Sequence, residues 1–216
     1  MIELPDVTLL IVDCLDVDRA ILTLDKCQKE IEFGEVKLLT SKQEGVKNIP
    51  IGYPHEIIPH LSTLTAYSVF MLTSVYKYIN TSHALIVQHD GYVINPHKWQ
   101  DSFLDYDYIA PLFDDHDIMG CGGFTLRSRK LMETVASFCP AWDGTQEDAD
   151  AIQAGTSHGF YEDGLIAIKF RERLEAKGFI FAPIEEASLF GQARNNKHYN
   201  PEPFGFHRGF EPMTNT

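Results

Sequence analysis

The apolar residues fall into short runs of two periods, and their order along the chain predicts alternating strands and helices. Residues 7–12 (VTLLIV) form a nearly unbroken apolar run, the pattern of a strand covered on both faces. Residues 13–18 supply turn and capping side chains, and a helical stretch follows to about Ile31. Residues 36–40 read as a second strand. This strand–helix–strand opening favours a parallel sheet joined by a right-handed crossover. After a loop rich in Pro and Gly that runs through Pro54, the segment 62–79 has a helical period: Leu61, Leu64, Met71, Leu72, Val75 and Ile79 recur at spacings near three and four. Residues 84–87 (ALIV) and 106–110 return to strand-like runs.

The second half repeats the alternation. Residues 122–126 form a glycine-led strand, and 128–138 a helix with Ser128 in a capping position and Leu131 and Val135 on its apolar face. Residues 143–159 break the pattern with Gly144, Gly155, Gly159 and several acidic and amide side chains. A mobile surface loop is expected there, either a lid over a site or a plain connection. A helix over 163–177 closes on Gly178, 179–182 reads as a last core strand, and everything after Ser188 is tail-like in its Asn, Pro and Gly content. The fold class that follows is α/β with a mostly parallel sheet, and 216 residues suit one domain over 1–216, with a core over about 7–208.

Composition narrows the function. The net charge of −13 and the lack of a basic stripe argue against a nucleic-acid partner, since polyphosphate binding depends on clustered Lys and Arg. An acidic chain can still take a diphosphate when a divalent cation stands between the two sets of negative charge. Cys14, Cys27, Cys121 and Cys139 show neither a CxxC pair nor a disulfide framework. Reduced thiols, no signal peptide and no run long enough to span a membrane together predict a cytoplasmic protein.

The candidate chemistry begins at Gln88-His89-Asp90-Gly91, directly behind the run 84–87, where open α/β sheets place their ligands. Asp90 offers a hard oxygen to Mn²⁺ or Mg²⁺ and His207 an imidazole nitrogen, with coordination positions left for phosphates. The alternative for Asp90 is a strand end with Gly91 making the turn. His89, in an extended segment, points away from its neighbours. Glu162-Asp163 stands just before a helix, where a carboxylate either caps free N–H groups or serves as a general base. Gly120, Gly122 and Gly123 suit a tight turn or a close approach of a sugar ring to the backbone. His207 sits in a polar tail, but Phe204, Phe206 and Phe210 around it suggest that the tail folds back over the site.

Together, QHDGYVINPHKW, DYDYIAP, GCGGFTLRSRKLME, YEDGLIA and FGFHR resemble a family of little-characterised glycosyltransferase-like domains with the GT-A fold. The resemblance covers residues from about Val7 to Arg208. It implies a three-layer α/β/α architecture, a nucleotide diphosphate-sugar donor and a carbohydrate or other hydroxyl acceptor. It also implies that Asp90 takes the last position of a DxD-type motif as metal ligand, that His207 takes the C-terminal metal position, that Asp163 is the base and that Glu162 contacts acceptor or sugar. Gln88 stands where the first Asp is usual and brings a hydrogen bond instead of a charge. Cys121 stands where Asn is common. Asp13 and Thr40 match positions that meet the nucleotide, and His89, Gly122 and Gly123 complete the donor-binding set.

The expected activity is therefore sugar transfer, inverting because a base is assigned and metal-assisted. A non-catalytic nucleotide-sugar or carbohydrate-binding domain is the alternative from another class. A His/Asp metallohydrolase is a third, and it needs a denser ligand set.

Overall fold

A computed structural model of the chain describes residues 1–41, 49–50, 52–113, 117–156, 161–193, 198 and 200–207. Gly159, Arg208 and Phe210, named above, lie outside the described residues.

The first half contains β1 (Ile2–Val12), α1 (Val17–Cys27), β2 (Ile31–Thr40), β3 (His55–Ile57), α2 (Leu64–Thr73) and β4 (His83–Val87). There follow β5 (Gly91–Val93), β6 (Tyr108–Ile109), β7 (Phe124–Ser128), α3 (Arg129–Ala136) and α4 (Gln146–Thr156). The last elements are α5 (Glu162–Gly164), a π-helical segment Leu165–Lys169, α6 (Arg171–Glu175), α7 (Ile184–Phe190), β8 (Gly191–Ala193) and β9 (Gly205–His207).

A six-stranded sheet in the order β3-β2-β1-β4-β7-β6 forms the centre. The pairs from β3 to β4 are parallel, and β7 runs antiparallel to both β4 and β6. The layering follows from strand alternation, since successive side chains point to opposite faces. In β1, Leu9 and Ile11 share a core with Ala20 and Leu24 of α1, whereas Leu10 and Val12 share another with Val69 and Phe70 of α2. β4 divides likewise, Leu85 and Val87 to the first core and Ala84 and Ile86 to the second. Each buried Leu, Ile, Val or Phe contributes about 1.5–3 kcal/mol, so an apolar run on a strand is stable only where helices cover both faces. The expected mixed α/β class with a mostly parallel sheet is the observed one.

Several boundaries differ from the sequence reading. α1 ends at Cys27 because Gln28 caps it, and Ile31 begins β2 opposite Ile2. Ile31 stands four residues beyond Cys27 and seven beyond Leu24, so the first apolar residue of the strand falls in phase with the helix. Ser128 caps α3 as expected, its hydroxyl accepting from the Leu131 N–H at 3.0 Å. Gly178, at φ +88°, stops the penultimate helical segment as expected. Residues 179–182 form no strand of the sheet. Phe181 makes one isolated bridge to Tyr108, although the Ala182 N–H reaches the Tyr108 carbonyl at 3.0 Å.

Two expectations are overturned. Within 143–159, the described part contains α4 and is not a loop. Thr145 Oγ1 accepts from the Asp148 N–H at 3.2 Å at the start of this helix, and Ala149 and Ile152, three residues apart, bury its one apolar edge. With only two such positions, acidic composition hides the period. The described part of the segment after Ser188 is also no tail. α7, β8 and β9 carry core side chains, and Phe204 lies 5.3 Å from Trp99 and 5.9 Å from Phe190 between ring centroids. β5, β9 and β8 form a second, three-stranded sheet. Among the described residues no helix is long and apolar enough to cross a membrane.

Candidate functional site

The site starts where β4 runs out. The Gln88 N–H bonds the Gly123 carbonyl at 3.0 Å, and the Gly91 N–H returns to the Gln88 carbonyl at 2.9 Å, so His89 and Asp90 form a tight turn. The extended geometry assumed for His89 therefore stops one residue earlier. β5 leaves this turn and pairs antiparallel with β9, with Gly91 opposite His207. That register brings Asp90 to His207, with Oδ1 3.5 Å from Nε2. His207 is 4% exposed, and its Nδ1 lies 2.8 Å from the Cys121 sulfur.

The glycines are required by protein side chains before any ligand is considered. A Cβ on Gly123 would lie 2.0 Å from His207 Nε2, and one on Gly122 would lie 2.9 Å from Glu162 Oε1 and 3.0 Å from Asp163 Oδ2. Gly122 also donates its N–H to Asp163 Oδ2 at 3.0 Å.

Neither acid of the Glu162-Asp163 pair caps α5. Tyr161 holds the N-cap position and makes no side-chain cap bond. Asp163 is held by backbone donors on both oxygens, Gly122 on Oδ2 and Gly164 on Oδ1 at 2.7 Å. Glu162 is 3% exposed and faces the fully buried Arg127, whose Nη2 is 3.5 Å from Oε1. Arg127 Nε donates to Thr125 Oγ1 at 3.2 Å, and the guanidinium lies 5.4 Å from the centre of the Tyr108 ring. Burial and then the neighbouring Asp163 charge raise the Glu162 carboxyl to about 7, against the opposing pull of Arg127. The π-helical turn directly after α5 adds a local irregularity of a kind often found at functional sites.

Two cavities share a wall made by Leu64, Tyr67 and Gln88. The first, about 280 Å³, opens at the end of β1 and is lined by Asp13, Arg19 and His89 among others. The second, about 290 Å³, is lined by Cys121, Gly122, Gly123, Glu162, Asp163 and His207, with Phe113 and Tyr161 at its edge. In the shared wall Gln88 Nε2 donates to the Tyr67 hydroxyl at 3.1 Å. Burial, and then the Glu162 charge, push the Tyr67 phenol up.

The fold thus gathers Gln88, Gly122, Gly123, Glu162, Asp163 and His207 around one cavity, with Asp90 against His207. Asp13 and His89 belong to the neighbouring cavity, and Asp13 Oδ1 also accepts from the Leu15 and Asp16 N–H groups at 2.7 and 2.8 Å. Thr40 lines neither cavity. It is buried at the end of β2, and its carbonyl accepts from the Ile58 N–H at 2.8 Å. Sequence reasoning missed Tyr67 and Arg127. The available signal for Arg127 was a cation in the strand FTLRS between two apolar segments, a position that demands a buried anion.

Among the described residues no group of three or more His, Cys, Asp and Glu side chains is placed to hold a metal. Asp90, in the turn before β5, and His207, on β9, supply one oxygen and one nitrogen. Nε2 is buried without a hydrogen bond. This pair fits a divalent cation that brings its remaining ligands with it, as a diphosphate-bound ion does, and does not fit a closed structural site.

The raised Glu162 carboxyl has a consequence for stability. Its protonated form is favoured in the folded state, so its contribution is fully present below the ordinary 4.5 and is lost as pH rises through about 7. Glu162→Gln, which stays neutral, is expected to gain in melting temperature relative to wild type between pH 5 and pH 8. An unchanged difference over that interval would show that Glu162 titrates like an exposed carboxylate.

A family model described as a protein of unknown function (DUF5672) matches residues 55–207. The chain belongs to the DUF5672 family. The DUF5672 stretch contains every residue named around the second cavity and excludes β1, β2, Asp13 and Thr40. No curated protein matches the sequence. One similar solved structure is the apo-form glycosyltransferase GlyE of Streptococcus pneumoniae TIGR4, with a TM-score of 0.47 and 12% identity, covering 94% of this chain and 54% of that one. The chain thus spans about half the length of GlyE, and a likeness at this level says nothing of the chemistry.

Proposed function

We propose that this protein is a GT-A-type glycosyltransferase that moves a sugar from a nucleotide diphosphate-sugar to an acceptor hydroxyl with inversion, assisted by Mn²⁺ or Mg²⁺. The observation that carries the reading is convergence. The Gly122-Gly123 backbone, Glu162-Asp163 and His207 come from separate segments and line one cavity, with Asp90 against His207, beside a second cavity of similar size. Between them the two cavities, which share a wall, draw on elements from β1 to β9, so residues 1–216 are taken as one functional unit. The four cysteines are thiols outside any disulfide, which fits a reducing compartment, the cytoplasm.

The division of labour follows from position. The first cavity takes the nucleoside beside Asp13 and His89, and the donor sugar enters the second past Gln88. One Gln88 amide hydrogen is given to Tyr67, which leaves the second N–H and the carbonyl oxygen for a sugar or ribose hydroxyl. Asp163 removes the acceptor proton. Its two backbone hydrogen bonds fix the carboxylate, and each oxygen retains a lone pair for that proton. The acceptor oxygen then bonds the anomeric carbon as the bond to the diphosphate breaks, the electron pair leaving with the diphosphate. Attack from the opposite face inverts the centre. Asp90 and His207 would hold the cation, which neutralises charge on the departing diphosphate. Glu162, anchored by Arg127, lies against the same sugar or acceptor.

One observation favours a second reading, a non-catalytic nucleotide-sugar or carbohydrate-binding domain: Gln88 carries no charge where a metal-binding carboxylate would help most. A thermal-shift screen of nucleoside diphosphates and their sugars, with and without Mn²⁺, is the test, followed by assay of donor hydrolysis. At a concentration of 100 Kd a ligand stabilises the folded state by about 2.7 kcal/mol, so no acceptor is needed for a response. We expect at least one nucleotide-sugar to raise the melting temperature and to be hydrolysed slowly with Mn²⁺. Binding without hydrolysis would favour the second reading, and no response to any nucleotide would overturn the first and leave only the carbohydrate-binding form of the second.

A further inference from the structure

The reaction outlined above gives Cys121 no task, yet its sulfur makes the shortest side-chain contact to His207. Neutral imidazole carries one proton, on Nδ1 or on Nε2, and the partner of each nitrogen decides which. Nδ1 lies 2.8 Å from Cys121 Sγ, within hydrogen-bonding distance. Nε2 lies 3.5 Å from Asp90 Oδ1, and this contact does not meet hydrogen-bond geometry. A proton on Nε2 beside a carboxylate would draw the two atoms to about 2.7–2.9 Å, as charge-assisted bonds do. At 3.5 Å the two atoms share no hydrogen bond. The sulfur can accept a proton carried on Nδ1 or donate its S–H to a bare Nδ1, and it is the open contact at Nε2 that selects the first arrangement. Gly123 packs against the His207 ring, and the pairing of β9 with β5 sets that ring beside Asp90.

We propose that Cys121 is the positioning residue of His207. Its sulfur accepts the Nδ1 proton, and this leaves the Nε2 lone pair beside Asp90 Oδ1, so that the two atoms form a donor pair for a divalent cation. Outer partners of this kind fix the tautomer and orientation of metal-binding histidines, and their loss weakens metal binding about 10–100-fold. The link to a cation rests on the function proposed above, whereas the assignment of the tautomer does not.

The test uses the full chain labelled with ¹⁵N at histidine, at a pH where the ring is neutral, with His207→Gln identifying the signals. Long-range ¹H–¹⁵N spectra of the wild type are expected to show His207 protonated on Nδ1. Cys121→Ala should shift it toward Nε2–H, and Cys121→Ser, which retains an acceptor, should restore Nδ1–H. Mn²⁺ alone, followed by paramagnetic broadening of the His207 ring signals, should bind Cys121→Ala at least about tenfold more weakly than wild type, with Cys121→Ser in between. A merely structural thiol would leave tautomer and Mn²⁺ affinity unchanged when its variants melt close to wild type. A wild-type ring protonated on Nε2, or a Cys121→Ala ring still fully protonated on Nδ1, overturns the proposal. If the tautomer follows Cys121 but the wild type binds no Mn²⁺, the positioning role stands and the metal-assisted reading falls.

Discussion

Asp163→Asn is expected to lower kcat for sugar transfer by about 10²–10⁴ while leaving donor binding close to wild type, because it removes a proton acceptor and little else. The substitution is nearly isosteric. The Asn carbonyl oxygen can keep one of the two backbone hydrogen bonds, from Gly122 or from Gly164, but the amide nitrogen meets an N–H donor at the other. A local cost of about 1–3 kcal/mol is therefore expected alongside the kinetic loss. The measurement is steady-state kinetics with the donor identified by the thermal-shift screen, together with the donor Kd and the melting temperature of each variant. Turnover within a few-fold of wild type would remove Asp163 from the role of base. Parallel loss of donor binding and of folding would show that it holds the Gly122 turn in place and does no chemistry.

The fold class was legible because the strongest signals in the chain are local. VTLLIV and ALIV are apolar at every pitch of a strand but one, and that pattern has few stable outcomes besides a doubly covered sheet. Ser128 and Gly178 marked helix ends for equally local reasons, a side-chain cap and a left-handed backbone. What was illegible depended on partners far away in sequence. β8 and β9 are three residues each, too short to show a period, and they exist because β5 offers them an edge. α4 shows only Ala149 and Ile152 as apolar core contacts, and its acidic face looks like a loop until α2 is placed beneath it.

The candidate site shows the same division. Residue types alone left Asp90, Glu162, Asp163 and His207 open between structural and chemical roles, and the resemblance of the segments around them to GT-A domains singled them out. Thr40 matched by position, and its side chain is buried at the end of β2 and lines neither of the two cavities. The glycines were expected for a turn or for a close ligand. Their stronger constraint is the His207 ring and the acid pair pressed on their Cα atoms, which only the pairing of β5 with β9 and the placement of α5 reveal. Tyr67 and Arg127 lie beneath the visible chemistry, and their effect passes through Gln88 and Glu162.

Arg127→Met should be the most destabilising change at the site, by about 3–5 kcal/mol at pH 8. Arg127 has no exposed surface, and its guanidinium is the one cation that faces Glu162 in the described structure, with the Asp163 charge close behind. Removing it leaves a buried carboxylate with a second carboxylate as neighbour, so the Glu162 carboxyl should rise further above about 7 and the cost of ionising it should fall on the folded state. The sign follows: the penalty is largest above that value and shrinks as pH falls and Glu162 takes up a proton. The lost packing over the Tyr108 ring persists at every pH. Urea unfolding of wild type, Arg127→Met, Glu162→Gln and the double variant at pH 5 and pH 8 separates these contributions, because the coupling energy of the pair appears as non-additivity. The double variant should recover a large part of the loss at pH 8 and less at pH 5. An Arg127→Met chain within about 1 kcal/mol of wild type at pH 8, or a penalty that does not change with pH, would show that Glu162 is held by something other than Arg127 and that the two cavities rest on a different foundation.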